Sequence, residues 1–217
     1  MDEYPKPFVT VDILLFTILN NTLKGLFIER KNPPYQGCWA IPGGFVEIDE
    51  SLDTAAFREL HEETNVEGIF LEQVYTYGGL NRDPRGRTIT VLYSAVISSD
   101  KVNIKADTDA SRAEWINIKD LKELAFDHKM ILDYTLTRLK EKSLYTPILF
   151  QVLPNNFILE DLKTSYKALF SDTSNLNFML EKAIYNNIIT TNGSDKGYYK
   201  FNTDKINWIN ETVFSLY

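Results

Sequence analysis

Between Ser51 and Thr64 the chain reads SLDTAAFRELHEET, and this pattern admits little other than an amphipathic helix. Leu52, Ala55, Ala56, Leu60 and Thr64 recur at helical spacing, with charges on another face. Ser51 is suited to the N-cap and Asp53 to the first turn. Glu59, Glu62 and Glu63 stand at i, i+3 and i+4, so they share one face about a turn long and are expected to be solvated there. Like charges at this spacing repel, and a divalent cation turns the repulsion into attraction. Mg²⁺ takes oxygen ligands octahedrally, keeps several waters, and bridges a few carboxylates to substrate phosphates. Glu59 and Glu63 are the best-placed direct ligands, with Glu62 able to share or to bind through water. Gly44 ends a Gly-Gly turn, where a backbone carbonyl can approach a metal without a side chain in the way. Three glutamates alone would more often be a solvated acidic helix face, so the surrounding residues must decide.

On either side of this helix the pattern changes to strands. FVTVDILLFTI at 8–18 is rich in β-branched and aromatic residues, Asn20-Asn21 turns, and GLFIER at 25–30 returns as a hairpin partner. KNPPYQGCWAIPGG is loop with a short strand around Trp39. Further strands are expected at 69–78 and 88–98, a short one at 113–118, and a helix over 127–142 whose apolar side is Ile131, Leu132, Leu136 and Leu139. Alternation of this kind makes an α/β fold. Near residue 143 the composition shifts, because Arg138 is the last arginine. We divide the chain into domains at 1–142 and 143–217. SLYTPILFQVLPNN reads as a connection, followed by helices at 159–170 and 175–187 and a hairpin turning between Asn192-Gly193 and Gly197. Helix, helix, hairpin is the outline of a winged helix.

With 217 residues, 44% hydrophobic and 24% charged, the chain is ordinary for a globular protein, and its net charge of −7 disfavours generic binding to nucleic acid or anionic membrane. The first apolar run is too short to span a bilayer and contains Asp12, and the start is acidic, unlike a signal peptide. The single cysteine, Cys38, permits no intrachain disulfide and reads as a small buried apolar residue. The expectation is a cytoplasmic protein with no membrane partner.

From Gly44 to Val66 the residues GFVEIDESLDTAAFRELHEETNV resemble the Nudix box, G-x5-E-x7-R-E-U-x-E-E-x-G-U with U aliphatic. Gly44, Glu50, Arg58, Glu59, Leu60, Glu62, Glu63 and Val66 match. Asn65 departs, standing where the family has a glycine that often takes a positive φ, a conformation asparagine tolerates. The resemblance implies an α/β/α sandwich with a mixed sheet and the box as loop–helix–loop. It also implies that Gly44, Glu59, Glu62 and Glu63 bind Mg²⁺ or Mn²⁺, and that Arg58 pairs with acids such as Glu50 to fix the helix. The reaction implied is metal-assisted attack of water on a pyrophosphate.

Three arginines in six residues, Arg82, Arg85 and Arg87, form a compact anion-binding loop before a strand. This DPRGR stretch resembles that of Nudix ADP-ribose pyrophosphatases and of Nudix-related regulators of NAD metabolism. The resemblance implies hydrolysis of ADP-ribose to AMP and ribose 5-phosphate, with Arg30 and Gly43 also at the substrate. Tyr35 and Trp39 are candidates to stack on a base, although Trp39 is more often core. His61 occupies a variable position of the box, and His128 reads as a cap or a supporting group behind the site. The two-part layout also resembles regulators in which a Nudix domain precedes a winged helix and senses ADP-ribose or a sugar on DNA. Such regulators often carry a damaged box, so the nearly intact box favours catalysis. From residue 143 on there are six lysines, no arginine and seven acids. DNA binding is therefore expected to be weak, and the C-terminal unit to pack on the first domain or support a homodimer.

Overall fold

The computed structural model describes residues 5–105, 110–170, 173–191 and 197–202. They gather into two compact units. The first takes the described residues within 1–16, 25–95 and 102–135, and the second those within 17–24, 96–101 and 136–217.

A mixed sheet organises the first unit. Its strands are β1 (Phe8–Leu19), β2 (Thr22–Arg30), β3 (Trp39–Ala40), β4 (Gly43–Phe45), β5 (Glu72–Tyr77), β6 (Thr88–Val96) and β7 (Ala110–Asn117). The order is β3-β2-β1-β6-β5, with β4 also pairing with β1 and β7 with β2. β1 is buried without a break from Thr10 to Thr17, as a central strand covered on both faces must be. Full burial of Ile13, Leu14, Leu15 and Phe16 stabilises the sheet by roughly 1.5–3 kcal/mol per side chain. Between β1 and β6, Phe8 N–H reaches Arg87 O at 2.9 Å and Ser94 Oγ reaches Leu14 O at 2.8 Å. Partner numbers rise together, so these two strands run parallel, whereas β4 is antiparallel to β1 with Asp12 opposite Gly43. The turn at Asn20-Asn21 places both residues in the left-handed region, φ 53° and 60°, as a two-residue hairpin loop requires.

Helix α1 (Leu52–Thr64) starts where its cap predicts: Ser51 Oγ accepts the Thr54 N–H at 3.1 Å. It ends on Asn65 at φ 59°, ψ 23°, with the Asn65 N–H on the His61 carbonyl. This is the left-handed cap that glycine usually supplies, and asparagine fills it here. Ala55, Ala56 and Leu60 face the core as expected. Helix α2 (His128–Ser143) buries Ile131, Leu132 and Leu139, with Leu136 half-buried. One expectation fails in this unit. Cys38 is exposed, because its neighbours Gln36 and Gly37 carry it on the outside of the loop before β3.

The second unit contains β8 (Asn156–Ile158), α3 (Leu159–Leu169), α4 (Leu176–Tyr185), β9 (Ile189–Thr191) and β10 (Tyr198–Phe201). The three strands form an antiparallel sheet in the order β8-β10-β9. The segment read as a connection is core instead. Ile148, Leu149, Phe150 and Val152 are buried in a short 3-10 helix, and Phe157 of β8 packs 5.3 Å from Phe201 between ring centres. Leu162, Tyr166, Met179 and Ala183 complete this core. The turn expected over 192–196, with Asp195 and Lys196, lies outside the described residues.

Candidate active site

The Gly-Gly turn expected from the sequence is instead the start of β4, which lies against the Glu59 and Glu63 side chains of α1, and glycine is needed where they meet. A Cβ on Gly44 would fall 2.3 Å from Glu59 Oε1, and one on Gly43 would fall 2.1 Å from the Val11 carbonyl. The Gly43 N–H donates to Glu63 Oε2 at 2.8 Å. Glu63 is accordingly buried, and only Glu62 keeps a substantially exposed carboxylate. The solvated face expected from spacing is thus exposed at one glutamate of three. The reason is that Gly43 and Gly44 of β4 pack against the other two.

Arg58 ties the cluster together. It grips Glu50 through both Nε (3.0 Å) and Nη2 (2.6 Å), and reaches Glu59 at 2.8 Å, Glu62 at 3.3 Å and the Phe45 carbonyl at 3.0 Å. The Glu47 N–H also donates to Glu50 at 2.9 Å. Hydrogen bonds from Arg58 and then from Glu47 hold the Glu50 carboxyl below the usual range. Burial pushes Glu59 the other way, against the opposing pull of Arg58. Gly43, Gly44, Glu59, Glu63, Arg58, Arg30 and Arg85 line one cavity of about 420 Å³.

No three His, Cys, Asp or Glu side chains converge as a ready-made metal cage among the described residues. Mg²⁺ seldom needs one, since one or two carboxylates, several waters and a substrate phosphate complete its shell. Glu59 and Glu63, which line one cavity together with Gly44, fit that requirement. A cation there would also offset the burial that disfavours ionised Glu59.

The arginines divide. Arg30 donates to the carbonyls of Pro34 at 2.8 Å and Asn32 at 3.4 Å and lines the cavity. Arg85 pairs with Asp83 at 2.7 Å and lines it too. Arg87 donates to the Gly78 and Gly79 carbonyls at 2.7 and 2.9 Å, shaping its loop. Arg82 is buried and forks onto Asp127 at 2.9 and 3.1 Å, with Asp12 at 3.4 Å. Asp12 in turn accepts from Thr90 at 2.7 Å and lies 3.6 Å from His128 Nε2. His128 Nδ1 accepts the Ile41 N–H at 2.9 Å, and burial holds this imidazole below its usual range, so it acts as a neutral acceptor. His128 thus stands as a supporting group behind the site, one of its two sequence readings, whereas Asp12 and Asp127 carry no such reading in the sequence. One signal was present: an aspartate in the middle of the apolar run FVTVDILLF must find a partner once buried. Among the aromatics, Trp39 is half-buried beneath Arg112 at 5.4 Å, and Tyr35 is exposed. His61 is exposed beside Glu67.

Residues 9–135 match the NUDIX domain, and the chain belongs to that family. Over 171 residues it is 37% identical to the ADPR responsive transcriptional repressor NtrR of Acinetobacter baylyi, covering 77% of this chain and 68% of the repressor. It is 39% identical over 132 residues to an ADP-ribose pyrophosphatase of Methanocaldococcus jannaschii, covering 60% and 75% of the two chains. The crystal structure of Shewanella oneidensis NrtR complexed with a 27mer DNA matches with a TM-score of 0.79 at 28% identity, over 95% of this chain and 97% of that one. No helix among the described residues is long and apolar enough to cross a membrane.

Proposed function

We propose that the first unit binds ADP-ribose and hydrolyses its pyrophosphate to AMP and ribose 5-phosphate. The observation that carries this reading is the shared cavity, lined by Glu59, Glu63 and Gly44 together with Arg30 and Arg85. Two carboxylates suit a divalent cation, and two guanidiniums suit the phosphate oxygens that the cation leaves uncovered. Mg²⁺ or Mn²⁺, held by Glu59 and Glu63 with Glu62 and the Gly44 carbonyl alongside, would supply charge neutralisation and water activation. Arg58 keeps Glu59 and Glu62 in place while Glu50 anchors Arg58 from behind. Water attacks one phosphorus, the bridging P–O bond breaks, and a proton leaves with the hydrolysis. A carboxylate, either a glutamate of the site or one elsewhere, acts as the base that takes that proton. The likeness to an ADP-ribose pyrophosphatase supports the substrate.

The test is product chromatography across ADP-ribose, NADH, diadenosine polyphosphates and nucleoside triphosphates with Mg²⁺. ADP-ribose is expected to be cleaved best. Preference for a triphosphate would remove the substrate assignment.

A second reading has its own support. The second unit runs strand, helix, helix, strand, strand, the order of a winged helix, and a relative of the same extent is seen with DNA. On this reading residues 143–217 form a DNA-binding domain and ADP-ribose is a signal. Charge argues against tight binding. Lys182 is the one cation of α4, with its ammonium over the rings of Phe178 and Tyr185 at 5.5 and 6.0 Å. DNA affinity rests largely on cations that neutralise phosphates. In an electrophoretic mobility shift with the upstream region of its own gene, we expect retention at low salt only. A sequence-specific shift that survives physiological salt and is released by ADP-ribose would put the regulatory reading first.

A further inference from the structure

Phe126 occupies a backbone conformation that a bulky residue adopts at a cost, with φ at 54°. Such a residue persists only where its surroundings hold it. Here both flanks are tied down: the Ala125 N–H donates to the Trp39 carbonyl at 2.8 Å, and Asp127 is forked by Arg82. The strained residue therefore points its ring where the fold dictates. Two guanidiniums lie against that ring, Arg30 at 4.8 Å and Arg85 at 5.5 Å from its centre. Both line the cavity with Glu59 and Glu63, and unlike Arg58, the third arginine there, neither is bonded to those glutamates in the hydrogen bonds described above. Tyr35 closes edge-on at 4.8 Å between ring centres, and a second ring, Phe45, lies 4.8 Å from the Arg85 guanidinium.

We infer that Phe126 is a positioning residue that gathers Arg30 and Arg85 into one anion-binding fork for the diphosphate. Two like charges on one wall repel each other. The negative face of an aromatic ring attracts both and limits the directions they can take. An aliphatic side chain of similar bulk would fill the space without holding the charges. The inference rests on the diphosphate reading of the cavity and adds to it the element that sets the spacing of the two cations. Nothing in the local sequence AFDH marks this role, since the arginines come from positions 30 and 85.

The experiment is isothermal titration of the full chain with ADP-ribose and, separately, inorganic pyrophosphate. Both titrations are run in EDTA at low salt, where hydrolysis is stopped and the arginines carry the anion. Phe126→Leu removes the aromatic face. Phe126→Asn removes it with a residue that accepts the left-handed backbone, so misfolding does not confuse the result. Phe126→Tyr keeps the face. We expect the first two to bind both probes about tenfold more weakly, and Phe126→Tyr to bind like wild type. Wild-type affinity in Phe126→Leu and Phe126→Asn would overturn the inference, as would an equal loss in Phe126→Tyr. If wild type binds pyrophosphate and not ADP-ribose, the substrate reading falls and the pyrophosphate series alone decides on Phe126. If it binds neither, the arginine fork is not an anion site and the inference falls.

Discussion

Glu63→Gln is expected to lower kcat/KM for ADP-ribose by about 10²–10³-fold, the loss seen when one preorganised electrostatic contact to a transition state is removed. The substitution keeps the size of the side chain and takes away one anionic ligand. It also keeps a carbonyl oxygen where Glu63 Oε2 now accepts the Gly43 N–H, so β4 retains its anchor on the helix. With one negative charge fewer beside Glu59, repulsion on α1 falls. Melting temperature without metal should therefore hold or rise slightly. Steady-state kinetics at saturating Mg²⁺ and a thermal melt in EDTA are the two measurements. Near-normal turnover in the first would take Glu63 out of the metal site, whatever the melt shows.

Arg82→Ala is expected to act on stability more than on substrate affinity. The sequence placed Arg82 with Arg85 and Arg87 as one anion-binding loop. In the fold Arg82 is buried and its guanidinium is engaged by Asp127 and Asp12. Removing it leaves two carboxylates in a poorly solvated network, which costs about 3–5 kcal/mol for a buried pair. Asp127→Asn in the same chain should recover part of the loss, because it removes one of the stranded charges. Denaturant titration of the full chain, followed through tryptophan fluorescence, reads the effect. A loss under about 1 kcal/mol, the range of exposed ion pairs, would contradict the buried role.

The contrast between these two residues shows what was readable. Glu59, Glu62 and Glu63 lie within one helical turn, so spacing alone puts them together, and the Ser51 cap and Asn65 terminus bound the helix that carries them. Gly44 reads from the sequence as the end of a turn that leaves its carbonyl open to a metal; in the fold it lies in β4, and the Glu59 carboxylate fills the space of its missing Cβ. The network of Asp12, Thr90, Arg82, Asp127 and His128 joins four separate elements, and no local periodicity reports such pairings. The same holds for Phe126, whose partners are Arg30 and Arg85. Burial of Glu63 was missed for a related reason: helical spacing fixes which residues share a face, while the turn packed on that face decides what stays exposed. In the second unit, an apolar run broken by Pro147 and Pro154 looked like a connection and is core. Proline marks where regular structure stops, and that says little about burial.

Hydrolysis by this cavity is tested most directly by AMP release from ADP-ribose by the full chain, followed by chromatography while Mg²⁺ or Mn²⁺ is titrated from zero. AMP and ribose 5-phosphate are expected in equal amounts, with none in EDTA and a rate that saturates with metal. ADP-ribose that binds and remains intact at every concentration of either metal would contradict it, and would leave the cavity as a sensor of the nucleotide.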